Sequence, residues 1–338
     1  MENLLVTGGA GFIGGNFVQY MADKYPNYHI YNLDVLTYAG DLTKHQKIEN
    51  GKNYSFVRLD IADRQAISEL FGQIDFTYIV HFAAESHVDR SITEPEVFIR
   101  TNVLGTQVLL DAAKRSTIKK FVHVSTDEVY GELDFDPTTF FTETTPLQPS
   151  SPYSASKASS DLLVRAYYET YGLPVNITRC SNNYGPYHFP EKLIPLTISR
   201  VLNDQKVPVY GDGKNVRDWL HVLDHCSAID LVLHSGEIGE VYNIGGHNEQ
   251  TNLEVVRTII ETLGKSDDLI EFVEDRLGHD KRYAIDPTKI EQLGWRPVYD
   301  FETGIAQTID WFMENKEWWQ QIISGEYQQY FDRQYARK

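Results

Sequence analysis

The run Thr7-Gly8-Gly9-Ala10-Gly11-Phe12-Ile13-Gly14 constrains this chain more than any other. It separates a short apolar stretch, Asn3 to Thr7, from a segment with apolar residues three and four apart, Gly11 to Lys24, so it reads as a strand turning directly into a helix. Glycines at 8, 11 and 14 allow a tight turn, let a ligand approach bare main chain, and let the helix pack close to the sheet. The N-terminus of that helix faces the same ligand with its N–H groups, which suits a pyrophosphate. Asp34 ends the next expected strand 20 residues past Gly14, where a carboxylate accepts hydrogen bonds from ribose hydroxyls. An acid there favours NAD over NADP, whose extra phosphate it would repel. A glycine cluster alone is weak evidence, but strand, turn, helix and acid in register predict a dinucleotide site.

The rest of the first half repeats the alternation. Further strands are expected at Tyr28 to Leu33, Ser55 to Leu59, Tyr78 to Phe82, Lys120 to Ser125 and Val175 to Cys180, with the clearest later helices at Pro95 to Ser116 and Tyr153 to Tyr171. This pattern specifies an α/β fold: a Rossmann-type doubly wound parallel sheet, here with a smaller C-terminal substrate-binding domain. After Cys180 the alternation breaks into loops rich in Pro and Gly, as where a chain leaves a sheet to cap it. Trp219 to Gly236 and the run EVYNIGG read as one more helix and strand that rejoin the sheet. The expected division is therefore 1–181, rejoined by about 218–246, for the nucleotide domain, and 182–217 with 247–338 for the second. Ligands bind outside the carboxyl ends of strands in such sheets, so the residues there are the remaining candidates: Val35, Leu36 and Thr37, Asp60 and Ile61 flanking an adenine, and Phe82, Ala83, Ala84, Glu85 and Ser86 beside the central crevice.

Charge narrows the partners. Lys and Arg number 31 against 48 Asp and Glu, a net of −17, and no basic run is present, so neither nucleic acid nor an anionic membrane surface is an expected partner. The N-terminus lacks the pattern of a signal peptide, and no apolar run approaches the roughly 18 residues of a membrane span. Two cysteines, Cys180 and Cys226, allow no disulfide framework and fit a reducing cytosol. His81, His123 and His221 lie in separate segments without ligand spacing, so no metal site is expected; Cys180 reads as a buried structural thiol.

Tyr153 and Lys157 stand four apart at the start of a helix and emerge on one face. A tyrosine is a poor base near neutral pH, but a neighbouring ammonium and a cationic nicotinamide favour its phenolate and equip it to deprotonate an alcohol. Thr126, at the end of the fifth strand, offers a hydroxyl to the same substrate oxygen. Asp127 and Glu128 follow at once. Two adjacent carboxyl groups beside a hydride-transfer position suit a reaction in which one proton is removed and one hydroxyl is protonated, with environments that keep one group neutral and the other ionised. An epimerase needs no such pair.

These residues resemble the short-chain dehydrogenase/reductase superfamily, in its extended branch acting on nucleotide sugars. The runs STDEVYG, AAESHVDRS, SNNYGPYHFPEKLIP and GHDKRYAID, in that order, are similar to the dTDP-glucose 4,6-dehydratase family over nearly the whole chain. The resemblance implies that Tyr153 deprotonates the hydroxyl of sugar carbon 4 as NAD takes the hydride. Glu128 would then remove the proton at carbon 5 while Asp127 protonates the departing hydroxyl of carbon 6, and the hydride would return to carbon 6. It implies cofactor contacts at Thr101 and Asn183 and sugar contacts at Ser86 and Thr126. Further substrate contacts are implied at Asn182, Lys192, Leu193, Pro208, Val209, Tyr210, Asn252 and His279. Arg217 and Arg276 suit the diphosphate, because guanidinium forks match phosphate oxygens. Two residues depart from the usual family run DRPGHDRRY, namely Leu277 and Lys281. The resemblance also implies a homodimer through the two long helices. The alternatives are an NDP-hexose 4-epimerase, a dehydratase for another NDP-sugar such as UDP-N-acetylglucosamine or GDP-mannose, and a catalytically silent dinucleotide sensor, which should lack the Thr126, Tyr153, Lys157 set.

Overall fold

Seven strands lie side by side and parallel: β1 (Glu2–Thr7), β2 (Tyr28–Asp34), β3 (Tyr54–Arg58), β4 (Tyr78–His81), β5 (Lys120–Thr126), β6 (Val175–Cys180) and, much later in the chain, β10 (Val241–Ile244). They belong to a computed structural model that describes residues 2–275 and 278–323. The strand order is β10-β6-β5-β4-β1-β2-β3. The order reverses at β1, which pairs with both β2 and β4, and a crevice therefore opens at its carboxyl end. Both faces of the sheet are covered, which is why its strands read as near-continuous apolar runs. Phe17, Val18 and Met21 from the helix Phe12–Lys24 and Cys226, Ile229 and Val232 from the helix Val222–Ser235 bury one face. Ile67, Val108, Leu109 and Val164, from helices on the other side, bury the second.

Two expected elements take a different form. Pro95 to Ser116 is helical from Pro95 to Lys114, but Ile99–Gly105 is wound as a π-helix. Gly105 sits where a Cβ would come within 2.6 Å of Ile61, and Asn102 ties the stretch inward: its Oδ1 accepts the Glu85 N–H at 2.9 Å and its Nδ2 donates to Ser156 Oγ at 2.8 Å. The wider winding turns Thr101 and Asn102 toward the crevice, as π-helical turns at functional sites do. The segment Trp219 to Gly236 is not one helix. Trp219, Leu220 and His221 finish a strand, β9 (Val216–His221), and the helix starts at Val222, with the His221 ring accepting the Leu223 N–H. The alternation of long apolar and polar side chains there fits either element, and pairing with distant strands decides it.

Those distant strands build the cap. β9 lies between β7 (Asn182–Tyr184), parallel to it, and β11 (Glu249–Thr251), antiparallel. A second pair joins β8 (Val207–Tyr210) to β12 (Ile270–Val273). The helices Leu193–Leu202, Asn252–Thr262, Phe301–Glu314 and Lys316–Ile323 pack Ile194, Ile198, Val255, Ile259, Ile305, Phe312 and Trp319 into a core of their own. Among the described residues no helix is long and apolar enough to cross a membrane.

Candidate active site

The glycine turn is closed against itself and against β4. Gly8 has φ +73°, and a Cβ there would lie 2.5 Å from the Ala83 nitrogen; one on Gly14 would lie 2.3 Å from the Gly8 carbonyl oxygen. No described side chain caps the helix that begins at Phe12. Bare main chain and an uncapped helix N-terminus make a cradle that fits a pyrophosphate. Asp34 stands beside it: Oδ2 accepts the Ala10 N–H at 3.0 Å and Oδ1 the Leu36 N–H at 2.8 Å, which leaves further lone pairs for ribose hydroxyls. Burial raises its carboxyl above the usual range, against the pull of those two N–H groups.

The cleft runs from this turn past the ends of β1, β4 and β5 into the cap, with a volume of about 630 Å³. Its lining includes Gly8, Gly11, Phe12, Ile13, Gly14, Asp34, Val35, Thr37, Asp60, Ile61, Phe82 to Ser86 and Thr101, all expected from the sequence. Leu36 is the exception on the cofactor side. It is absent from the lining, and its main chain, at φ +59°, serves to aim the N–H at Asp34. Lys44 lines the cleft without any signal in the sequence. Its ammonium donates to the Gly11 carbonyl at 2.7 Å, and burial pulls its pKa down to about 8 despite the nearby Asp41 and Asp34.

Local sequence fixes the catalytic helix. Ser151 accepts the Ser154 N–H at 3.1 Å while Ser154 Oγ accepts the Ser151 N–H at 3.0 Å, Pro152 opens the first turn, and Gly172 ends the helix in the left-handed region at φ +68°. Tyr153 and Lys157 thus sit one turn apart, both buried and both in the cleft wall. The sequence sets a neighbouring ammonium and a cationic nicotinamide beside the tyrosine; in the protein the ammonium donates to the Val124 carbonyl at 2.8 Å, and burial brings its own pKa down to about 8. Burial first, and the Glu128 charge second, raise the Tyr153 pKa well above its ordinary value, and the Thr126 hydroxyl opposes them.

Thr126 caps a short 3₁₀ turn over Asp127–Tyr130, its Oγ accepting the Glu128 N–H at 3.3 Å, so the two carboxyl groups belong to the first two residues of that turn, directly after β5. Asp127 is 1% exposed, and burial and then the charges of Glu128 and Asp218 push its pKa well above the usual range. Its Oδ2 is buried with no hydrogen-bond partner among the described residues, and the residue lines the cleft. Burial favours the protonated form, the state a general acid requires. Burial likewise raises Cys180, whose thiol lies in the same wall 3.5 Å from the Ser125 carbonyl.

From the cap come Asn182, Asn183, Lys192, Leu193, Pro208, Val209, Tyr210, Arg217, Asn252 and His279, all in the cleft lining. Lys192 donates across the cleft to the Ser86 carbonyl at 3.1 Å, and His279 sits 2.6 Å from Asp275. Arg217 is buried against the Tyr283 ring, 4.2 Å from its centre, with NH2 on the Asp280 carbonyl at 2.9 Å. Arg276 and Leu277 lie outside the described residues. Lys281, 3.4 Å from Glu132, is not in the lining. Tyr187, Glu191 and Trp318 line the cleft unforeseen, because each reaches it from a segment whose place only the packed cap defines, and His87 extends the run Phe82 to Ser86 by one residue. The three singled-out histidines are structural. His81 bridges the Thr7 and Thr106 hydroxyls at 2.7 and 2.9 Å, His123 lies 3.4 Å from Asp161, and His221 stacks on Tyr299. Among the described residues no group of three His, Cys, Asp or Glu is arranged to hold a metal ion.

The family model of GDP-mannose 4,6 dehydratase matches residues 5–308. A dTDP-glucose 4,6-dehydratase of Xanthomonas campestris pv. campestris is 52% identical over 97% of both chains, and one of Escherichia coli is 50% identical over 96% of this chain and 97% of its own. Among solved structures, a dTDP-glucose 4,6-dehydratase from Bacillus anthracis in complex with NAD is 53% identical, covers 95% of this chain and all of its own, and superposes with a TM-score of 0.89. A UDP-glucose 4-epimerase from Thermus thermophilus in complex with NAD shares the fold at a TM-score of 0.85, with 32% identity over 93% of this chain and 99% of its own. The relatives at about half identity over nearly the full length agree on dTDP-glucose as the sugar, and on that ground the chain belongs to the dTDP-glucose 4,6-dehydratase family.

Proposed function

We propose that the chain converts dTDP-glucose to dTDP-4-keto-6-deoxyglucose with loss of one water. The observation that carries this reading is the pair Asp127 and Glu128 in the same cleft wall as Thr126, Tyr153 and Lys157, with burial shifting Asp127 toward its protonated form. Bound NAD supplies a hydride acceptor at carbon 4 and a donor at carbon 6, together with a positive ring. Tyr153 takes the proton of the carbon-4 hydroxyl, and the Thr126 hydroxyl steadies the same oxygen. Lys157 keeps a positive charge beneath the site and holds the cofactor ribose. The ketone at carbon 4 acidifies the proton at carbon 5; Glu128 removes it, and Asp127 gives its proton to the departing hydroxyl of carbon 6, which leaves as water. As the hydride returns to carbon 6, Glu128 returns a proton to carbon 5, and the proton taken up by Tyr153 is released as Asp127 takes one back. The glycine turn, Asp34, Asp60, Ile61, Thr101 and Asn183 hold the cofactor, and Lys192, Arg217 and Asn252 hold the nucleotide sugar. The likeness to the dehydratases supports these assignments. The product suits deoxysugar synthesis such as the dTDP-rhamnose route.

The same reading divides the chain into a cofactor-binding unit, 1–181 with 218–246, and a sugar-nucleotide unit, 182–217 with 247–338. It also makes the protein a cytosolic homodimer. Ile99, Leu104 and Leu162 lie exposed on the long helices, at 52%, 44% and 60%, which suits a helical interface, and both cysteines are buried and free, which suits a reducing compartment.

The test is dTDP-glucose deuterated at carbon 4, followed by mass spectrometry. The expected product is lighter by one water with deuterium at carbon 6; unchanged mass with inversion at carbon 4 means epimerisation instead. Glu128→Gln should still reduce the cofactor when substrate is added while losing the elimination, and a variant that dehydrates at the unmodified rate rules Glu128 out as the base.

A further inference from the structure

A cofactor regenerated within each turnover gains nothing by exchanging with solvent, and an early departure would strand the sugar as its ketone. The nucleotide end of the cleft carries a set of contacts that none of the steps above uses. The segment 37–45, which follows Asp34, is overlaid by two pieces of the cap: residues 186–191 and the helix Lys316–Ile323. Trp318 Nε1 donates to Asp41 Oδ2 at 2.5 Å, and the Asp41 N–H donates to the Ala10 carbonyl of the glycine turn at 2.9 Å. The Tyr38 hydroxyl donates to Glu191 Oε1 at 3.0 Å, with the Arg90 guanidinium 4.0 Å from the Tyr38 ring centre. Between these two bridges the Tyr187 ring meets Trp318 edge-on at 5.6 Å and lies under the Lys44 ammonium, and His188 stacks on Phe12 at 4.3 Å. Each bridge joins the loop after Asp34 to a cap segment distant in sequence, so the two together tie loop to cap at this end of the cleft.

We propose that the Trp318–Asp41 and Tyr38–Glu191 hydrogen bonds form a latch that keeps the dinucleotide in place between turnovers. The proposal rests on the NAD reading above and adds to it the residues that set the residence time. Tyr38→Phe removes one donor and keeps the ring; Trp318→Phe removes one donor and shrinks the indole to a phenyl. The experiment follows exchange of NAD from the holoenzyme into an excess of a fluorescent ethenoadenine analogue, with bound NAD also quantified after gel filtration. Each variant should exchange about tenfold faster, the weight of one hydrogen bond to a charged acceptor, and the double variant faster still. If Trp318→Phe also lowers the melting temperature, Tyr38→Phe, which leaves the C-terminal helix untouched, carries the test. Holoenzymes of both variants that exchange at the unmodified rate overturn the latch while leaving the NAD reading intact. A chain that takes up no NAD overturns both.

Discussion

In the parallel sheet, the residues that face the cleft cluster closely in sequence: Gly8 and Gly11 to Gly14, Asp34, Val35 and Thr37, Phe82 to Ser86, Thr126 to Glu128, and Tyr153 with Lys157 one helical turn on. In the cap they come singly or in twos and threes, from β7, from the start of the helix at Leu193, from β8, β9, the helix at Asn252 and the loop around His279. The difference follows from what each side recognises. A pyrophosphate and a ribose are met by main chain and one acid, so turn geometry does most of the binding; a sugar nucleotide is met by side chains, which any packed surface can supply from anywhere. On the proposed function, chemistry concentrates on the sheet side and affinity for the sugar on the cap side.

Kinetics of single variants should separate the two. Tyr153→Phe removes the proton acceptor and nothing else, so kcat should fall by about 10³-fold with KM little changed, read in a steady-state assay of product formation. A variant that instead raised KM at constant kcat would move Tyr153 into the binding set and erase the division. A second change tests whether the catalytic helix depends on the buried ion pair beneath it. Asp161, one turn past Lys157, holds the Arg179 guanidinium at 2.9 Å with both groups buried. Asp161→Asn leaves that charge uncompensated and should cost about 3–5 kcal/mol in urea denaturation at pH 7. Although burial alone would raise it, the Asp161 carboxyl is held below its ordinary value of 3.8 by His123 and Arg179. A depressed folded-state pKa gives stability that is fully present above the unfolded value and lost as pH falls through the folded one. The gap between variant and parent should hold from neutral pH down to about 3.8 and close only below it. The smallest effect belongs to the cap: Lys192→Ala should raise KM for the nucleotide sugar about tenfold and leave kcat within about twofold. A kcat loss as large as that of Tyr153→Phe would show that the Lys192–Ser86 contact across the cleft positions the reacting sugar rather than only holding it.

The same division explains what could be read in advance. The glycine turn, Asp34 and the Tyr153–Lys157 helix were legible because each is specified locally: a strand end, a cap and a fixed spacing are enough. The capping serines at 151 and 154 and Gly172 even set the helix limits. β9 was misread as the start of a helix because Trp219, Leu220 and His221 are apolar or aromatic in either element, and its neighbours β7 and β11 lie some thirty residues away on each side. The π-helical turn over Ile99–Gly105 left no mark in the periodicity, since its cause is the contact of Gly105 with Ile61 and the Asn102 bonds to Glu85 and Ser156.

Residue order alone fixed the doubly wound sheet, the dinucleotide turn and the set of Thr126, Asp127, Glu128, Tyr153 and Lys157, because backbone permission, helix capping and one-turn spacing act over a few residues. Folding set the surroundings that shift the titration of that set. Burial pushes the Asp127 and Tyr153 pKa values up, and the Lys157 ammonium donates to the Val124 carbonyl. Folding also brings Trp318 onto Asp41 from nearly the far end of the described chain. Desolvation and contact between distant segments depend on what surrounds a group in three dimensions, and no local stretch of sequence carries that.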